Sequence, residues 1–99
     1  MDRRHVIRQL SALGNDTRFA IFTLLRTESG QDLCAGEIAQ SLGIRSSTLS
    51  AHLNRLHDSG LIVAERDGRH IRYRLAEGGL ADLAGLLGAI GGQDAANPD

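Results

Sequence analysis

Over the first 60 residues, apolar side chains recur every three or four positions, the period of helices that bury one face. Val6, Ile7, Leu10 and Leu13 mark a first helix over about 3–13, which Gly14 ends as a C-terminal cap residue. Asn15 or Asp16 caps a second, DTRFAIFTLLRTE, whose Phe19, Phe22 and Leu25 or Leu24 face a core. SGQD is a loop. A short third helix over about 34–42 ends at Gly43, and Ser46 caps a fourth over 46–58. That fourth helix carries Leu49, Leu53 and Leu56 at i, i+4 and i+7, and Gly60 stops it.

Beyond Gly60 the period changes from helical to alternating. LIVAERD and RHIRYRL are two β-like runs separated by Asp67-Gly68, a strong two-residue hairpin signal because both central residues need positive φ. With that loop, Arg66 opposes Arg69, Ala64 opposes Ile71, and Ile62 opposes Tyr73. Ile62, Ala64, Ile71, Tyr73 and Leu75 then share an inward face, and Glu65, His70, Arg72 and Arg74 the outward one. Leu80, Leu83, Leu87 and Ile90 suggest a last helix, which Gly78, Gly79, Gly85 and Gly88 each weaken by up to ~1 kcal/mol, so packing must hold it. The mid-helix glycines leave room for close approach by another helix. The order is that of a winged helix-turn-helix, mainly α with a β-hairpin (α-α-α-α-β-β-α). One domain spans residues 1–92, and 93–99 form a disordered tail.

The outward face of the fourth helix is unusual. Ser46, Ser47, Ser50, Ala51 and Asn54 stand where a solvated helix normally carries Glu and Lys, although Ser and Asn are mediocre helix formers. No Asp or Glu occurs from Ile38 through His57. Short hydroxyls let a backbone come close to a partner and bond its bases or phosphates, and they bring no negative charge. In a helix-turn-helix the second helix enters the major groove, so the partner these residues imply is double-stranded DNA. Arg45 and the helix's first amides add positive potential.

Charge supports this locally rather than globally. The chain has 99 residues and a net charge of −1, but residues 45–74 carry +3 between a neutral N-terminal part and an acidic C-terminal part at −4. Arg66 and Arg69, opposed at the hairpin tip, repel each other in the free protein. They make sense against phosphates, where each contact adds salt-dependent affinity; the bland reading is that they splay into water. Val6, Ile7 and Leu10 at one end and Leu83, Leu86, Leu87 and Ile90 at the other exceed what one small core needs. They are either an interface or the completion of a monomer core.

The single cysteine, Cys34, excludes an intramolecular disulfide framework and cysteine-rich zinc sites. It is either a thiol whose position near a helix N-terminus makes it a redox switch, or a small buried filler spaced by four from Ile38 and Leu42. No stretch is apolar for the ~18 residues of a membrane span, and MDRRHVIRQL lacks a signal-peptide apolar region, so a cytoplasmic protein is expected. There is no Gly-rich phosphate loop, nucleophile-base arrangement or paired carboxylate, which argues against an enzyme and against a resident cofactor. A winged-helix protein-interaction module without DNA is the other class of function, since fold does not fix function.

LSALGNDTRFAIFTLL, GEIAQSLGIRSSTLSAHLNRLHDSGLI and VAERDGRHIRYRL together resemble the ArsR/SmtB family of small bacterial repressors, over roughly residues 6–76. The resemblance implies a homodimeric transcriptional repressor joined through its first and last helices and reading an inverted repeat. Its half-sites would lie about 34–36 Å apart. Arg45, Ser46, Ser47, Thr48, Ser50 and His52 lie where the family contacts DNA. Arg55 extends that helix surface, and Arg66, Arg69 and Arg72 belong to the wing. The family's sensing chemistry is not matched. Arsenite- and cadmium-sensing members use a Cys-x-Cys-type pair at the start of the third helix, where this chain has Cys34 but Gly36. Zinc-sensing members use Asp, His and Glu on the last helix, where this chain offers Asp82. The resemblance therefore implies no metal site within one subunit, and leaves a small-molecule or redox effector to be identified.

Overall fold

The computed structural model describes residues 2–27 and 31–95, with side chains described to Gly91. Five helices and a small sheet follow in the order α1 (Arg3–Leu13), α2 (Asp16–Thr27), β1 (Leu33–Cys34), α3 (Ala35–Leu42), α4 (Ser46–Asp58), β2 (Ile62–Asp67), β3 (His70–Leu75) and α5 (Ala81–Ala95). Asp2 caps α1 by accepting from the Arg4 amide at 3.0 Å, and Asn15 caps α2 by accepting from Thr17 and Arg18 at 3.0 and 3.1 Å. α5 runs past the expected boundary at 92 to Ala95, and the rest of the expected tail lies outside the described residues. Among the described residues no helix is long and apolar enough to cross a membrane.

The core forms where α2, α3, α4 and the base of the hairpin meet: Ile21, Leu25, Ile38, Leu49, Leu53, Leu56, Leu61 and Ile62 are all buried. α2 and α4 contribute residues three or four apart and α3 adds Ile38, so burial of this stripe fixes the rotation of α2 and α4. On α2 the stripe is centred on Ile21 and Leu25 rather than on the phenylalanines. Phe22 packs at its edge, and Phe19, expected inside, is 55% exposed. Gln9 is a buried polar residue that stitches elements together. Its amide nitrogen donates to the Gly79 carbonyl at 2.5 Å and to the Ser59 carbonyl at 3.3 Å, holding α1 to the end of α4 and to the turn before α5.

α4 closes at Gly60, whose φ of 81° is open to glycine at little cost. The Gly60 amide donates to the His57 carbonyl and the Leu61 amide to the Leu56 carbonyl, the pair of bonds of a Schellman cap. The chain then enters the wing. The sheet is antiparallel in the order β1-β3-β2, with the two-residue β1 pairing Leu33 with Tyr73 and Cys34 with Arg72. β1 was not expected from the sequence.

The hairpin register differs from the sequence reading. Asp67 pairs with His70, Arg66 with Ile71, Ala64 with Tyr73, and Ile62 with Leu75. The loop is therefore Gly68-Arg69, one residue later than Asp67-Gly68. Only Gly68, at φ 64°, takes a positive φ there, and no other residue type does so anywhere in the described chain. That is the requirement of a turn with glycine at its first central position, and it leaves Asp67 free to stay in the strand. The shift moves each partner by two positions, so each face keeps its residues and Arg66 joins that of Ile71 and Tyr73. Only the base of that face turns inward, with Ile62 buried, Tyr73 and Leu75 partly buried, and Ala64 and Ile71 exposed near the tip.

Candidate nucleic-acid interface

The surface that the sequence leaves without carboxylates lies on the outside of the protein. Arg45, Ser46, Ser47, Thr48, Ser50, Ala51 and Asn54 are all exposed, because Leu49, Leu53 and Leu56 on the opposite side of α4 are locked in the core. The cap residue is Arg45 rather than Ser46. Its extended backbone carries no side-chain cap, and its carbonyl accepts from the amides of Thr48 and Leu49 at 3.1 and 2.9 Å. Ser46 is thus the first helical residue. The amides of Ser46 and Ser47 belong to the unpaired first turn, at the positive end of the helix dipole.

Two expected contact residues turn inward instead, His52 toward α2 and Arg55 toward α1. His52 is half-buried, with Nδ1 3.2 Å from Nη1 of Arg18. Arg55 stays exposed but donates from Nη2 to Oγ of Ser11 at 3.1 Å. Arg18, which the sequence reading did not single out, also donates from Nε to the Ala12 carbonyl at 2.6 Å. The only sequence signal for it was an arginine in the first turn of a helix, which is too common to be informative.

The wing's arginines divide into two sets. On the outward face Nε of Arg72 donates to Asp67 at 2.8 Å, and Arg74 lies between Glu65 at 3.0 Å and Asp32 at 3.5 Å. The Asp67 hydrogen bond and charge hold the Arg72 guanidinium above its ordinary range. Arg66 and Arg69 are not opposed as the sequence reading had them. One is in β2 across from Ile71, and the other is in the turn. Both are exposed, and among the described residues neither enters an ion pair. Arg72, expected among the DNA-contacting residues, is therefore already engaged by Asp67.

Between wing, α3 and α4 runs an open groove of about 410 Å³, lined by Cys34, Gly36, Ser50, Arg69, Ile71 and Tyr73 among others. Cys34 is half-buried on its wall rather than a fully buried filler. Its backbone amide donates to Oε1 of Glu37 at 2.9 Å. That bond, then the Cys34 thiol, and behind them the charges of Arg72 and His70, hold the Glu37 carboxyl below the usual carboxylate range.

A family model for a helix-turn-helix domain matches residues 13–65, which contain α2, α3, α4 and the start of the wing. The transcriptional repressor SmtB of Mycobacterium tuberculosis is 37% identical over 86 residues, 87% of this chain and 62% of that protein. An ArsR-like transcriptional regulator from Rhodococcus superposes with a TM-score of 0.75 at 31% identity, covering 91% of this chain and 82% of that one. The chain belongs to the ArsR family of helix-turn-helix transcriptional regulators.

A second neighbour, the homodimeric winged helix-turn-helix DNA-binding domain of a Mycobacterium bovis protein, superposes at a TM-score of 0.71 with 31% identity. It covers 92% of this chain and 82% of that one. This ArsR-family chain spans about three-fifths of the length of the curated relatives it matches. Where arsenite- and cadmium-sensing members carry a second cysteine, position 36 is a glycine, and the sequence of α5 has Asp82 and Asp94 but no His or Glu. Among the described residues no three His, Cys, Asp or Glu side chains gather as a metal-holding group.

The α1–α5 surface of this ArsR-family chain is only partly available to a partner. Val6 and Leu83, at 4% and 3% exposure, serve the protomer's own packing. Ile7, Leu10, Leu87 and Ile90 remain 45–55% exposed, and Leu86 joins Val6, Ile7 and Leu10 along an open groove of about 430 Å³. An apolar surface of this kind is what a protein–protein contact covers.

Proposed function

We propose that the chain is a sequence-specific DNA-binding transcriptional repressor that acts as a homodimer on an inverted-repeat operator. α4 lies in the major groove, with Arg45, Ser46, Ser47, Thr48 and Ser50 at base edges and phosphates, and Arg66 and Arg69 grip the backbone beside it. Ile7, Leu10, Leu86, Leu87 and Ile90 meet their counterparts across a two-fold axis, which sets the half-sites about one helical turn apart. Residues 1–92 form the binding domain, the protein works in the cytoplasm, and it is not an enzyme.

One observation carries this reading: the exposed face of α4 is free of carboxylates from Ser46 through His57 and lined with hydroxyls, beside a wing tip whose two arginines have no acidic partner among the described residues. A protein-interaction module on the same scaffold has no use for such a face. Fluorescence anisotropy with the DNA upstream of the protein's own gene, against scrambled DNA, tests it. Specific binding that weakens steeply as salt rises is expected; no binding at any salt concentration overturns it.

A further inference from the structure

We infer that Arg18 is a positioning residue that fixes His52 as a hydrogen-bond donor through Nε2, aimed from the flank of α4 at a phosphate of the groove wall. The first half stands on the free protein's geometry, and the second rests on the DNA-binding reading above.

A guanidinium has five N–H donors and no acceptor. With Nη1 of Arg18 3.2 Å from Nδ1 of His52, the bond exists only if Nδ1 presents its lone pair. In the neutral ring the proton then sits on Nε2. The guanidinium is itself held. Its Nε donates to the Ala12 carbonyl at 2.6 Å, and Nη2 reaches the Ser11 carbonyl at 3.5 Å. Both carbonyls belong to the last turn of α1, where a cation is favoured, and the Ser11 carbonyl also accepts from the Gly14 amide at 3.2 Å. Asn15 fixes the backbone of Arg18 by accepting from its amide.

His52 therefore faces a rigid donor rather than water, and its half-burial leaves part of the ring accessible. Three residues on, Arg55 ties α4 to Ser11 in the same turn of α1. Among the described residues no hydrogen bond engages Nε2 of His52. A neutral N–H donor at a phosphate adds affinity without releasing a counterion, so its contribution is independent of salt, unlike that of Arg69.

Nitrogen NMR of the imidazole in the free protein tests the first half directly. Expected is an unprotonated Nδ1 and a protonated Nε2 for His52, with the preference lost in Arg18→Gln; a ring protonated on Nδ1 overturns the assignment. On DNA, His52→Asn keeps an acceptor at the δ position but has no donor at ε, whereas His52→Gln restores that donor. His52→Asn is expected to weaken operator binding about a hundredfold, about tenfold for the hydrogen bond to a charged group lost in each of the dimer's two protomers, with an unchanged salt slope. His52→Gln recovers most of this. Arg18→Gln produces a loss similar to that of His52→Asn, and the double variant adds nothing further, while circular dichroism verifies that each variant is folded.

Losses that multiply in the double variant, or equal affinities for His52→Asn and the wild type, overturn the positioning role. So does a His52→Gln variant as weak as His52→Asn. A wild-type chain that bound no DNA would overturn the function reading and the phosphate half with it, and the ring-nitrogen result would still decide the Arg18 half.

Discussion

The two sets of wing arginines make a quantitative prediction. Arg66 and Arg69 are exposed and unpaired among the described residues, whereas Arg72 is bonded to Asp67 at 2.8 Å. An arginine that neutralises a phosphate contributes about 0.9 to the slope of log affinity against log salt; with two wings per dimer, Arg69→Ala lowers that slope by about 1.8. A rise from about 50 to about 200 mM salt then weakens the wild type about twelvefold more than the variant. Arg66→Ala behaves alike, and the double variant about doubles the change. Arg72→Ala is expected to shift the slope by less than half as much, because a phosphate must first displace Asp67 and then face the carboxylate it has displaced. The pair is exposed on both sides, 44% and 64%, so its loss costs the fold about 1 kcal/mol at most. Anisotropy titrations at four or more salt concentrations measure these slopes. Equal slope changes for Arg72→Ala and Arg69→Ala would refute the division of the wing, and no change for Arg66→Ala or Arg69→Ala would remove the wing from the DNA backbone.

Ser50→Glu puts a carboxylate at the centre of the exposed α4 face. Operator affinity falls at least about a hundredfold while the unfolding midpoint barely moves, as at other surface positions; retained binding means that α4 is not in the groove. Glu37, its carboxyl lowered by the Cys34 amide, stabilises the fold above the ordinary glutamate range, and that contribution disappears as pH falls through the lower folded value. Denaturation of Glu37→Gln at a series of pH values therefore shows a weaker acid-side loss of stability than the wild type; parallel curves contradict the capping role. Ile7→Glu combined with Leu87→Glu places charges on the exposed part of the α1–α5 surface and converts the dimer to a folded monomer in sedimentation, whereas an unchanged mass locates the dimer contact elsewhere.

Most of the fold was legible because the physics that makes it is local. A 3.6-residue period defined four helix stripes, and alternation after Gly60 defined the wing. The failures have local causes as well. Asp67-Gly68 looked like the turn, but only glycine pays nothing for a positive φ, so the turn settled on Gly68-Arg69 and left Asp67 in the strand. The faces survived because the register moved each partner by two. β1 escaped notice because two residues have no period. Phe19 was placed inside because its spacing from Phe22 mimics a helical stripe; the denser pair Ile21 and Leu25 took the core and turned it out.

The interface was legible where it depends on what is absent and illegible where it depends on pairing. A run without carboxylates from Ile38 to His57 can be read from the sequence, and exposure of that face follows from the leucines behind it. The bond from Arg18 to His52 spans 34 positions and leaves no trace in spacing. Net charge has the same blind spot. Residues 45–74 sum to +3, which says nothing about where the excess sits. In the folded chain Arg72 is matched by Asp67 and Arg74 by Glu65. Of that segment's charges, Arg45, Arg55 and Asp58 on α4 and Arg66 and Arg69 on the wing remain, and they too sum to +3. The outward wing face is neutralised and the whole excess is carried by the recognition helix and the wing tip. A segment count that looked like a diffuse basic region is, in three dimensions, a charge concentrated on the two elements that would meet a phosphate backbone.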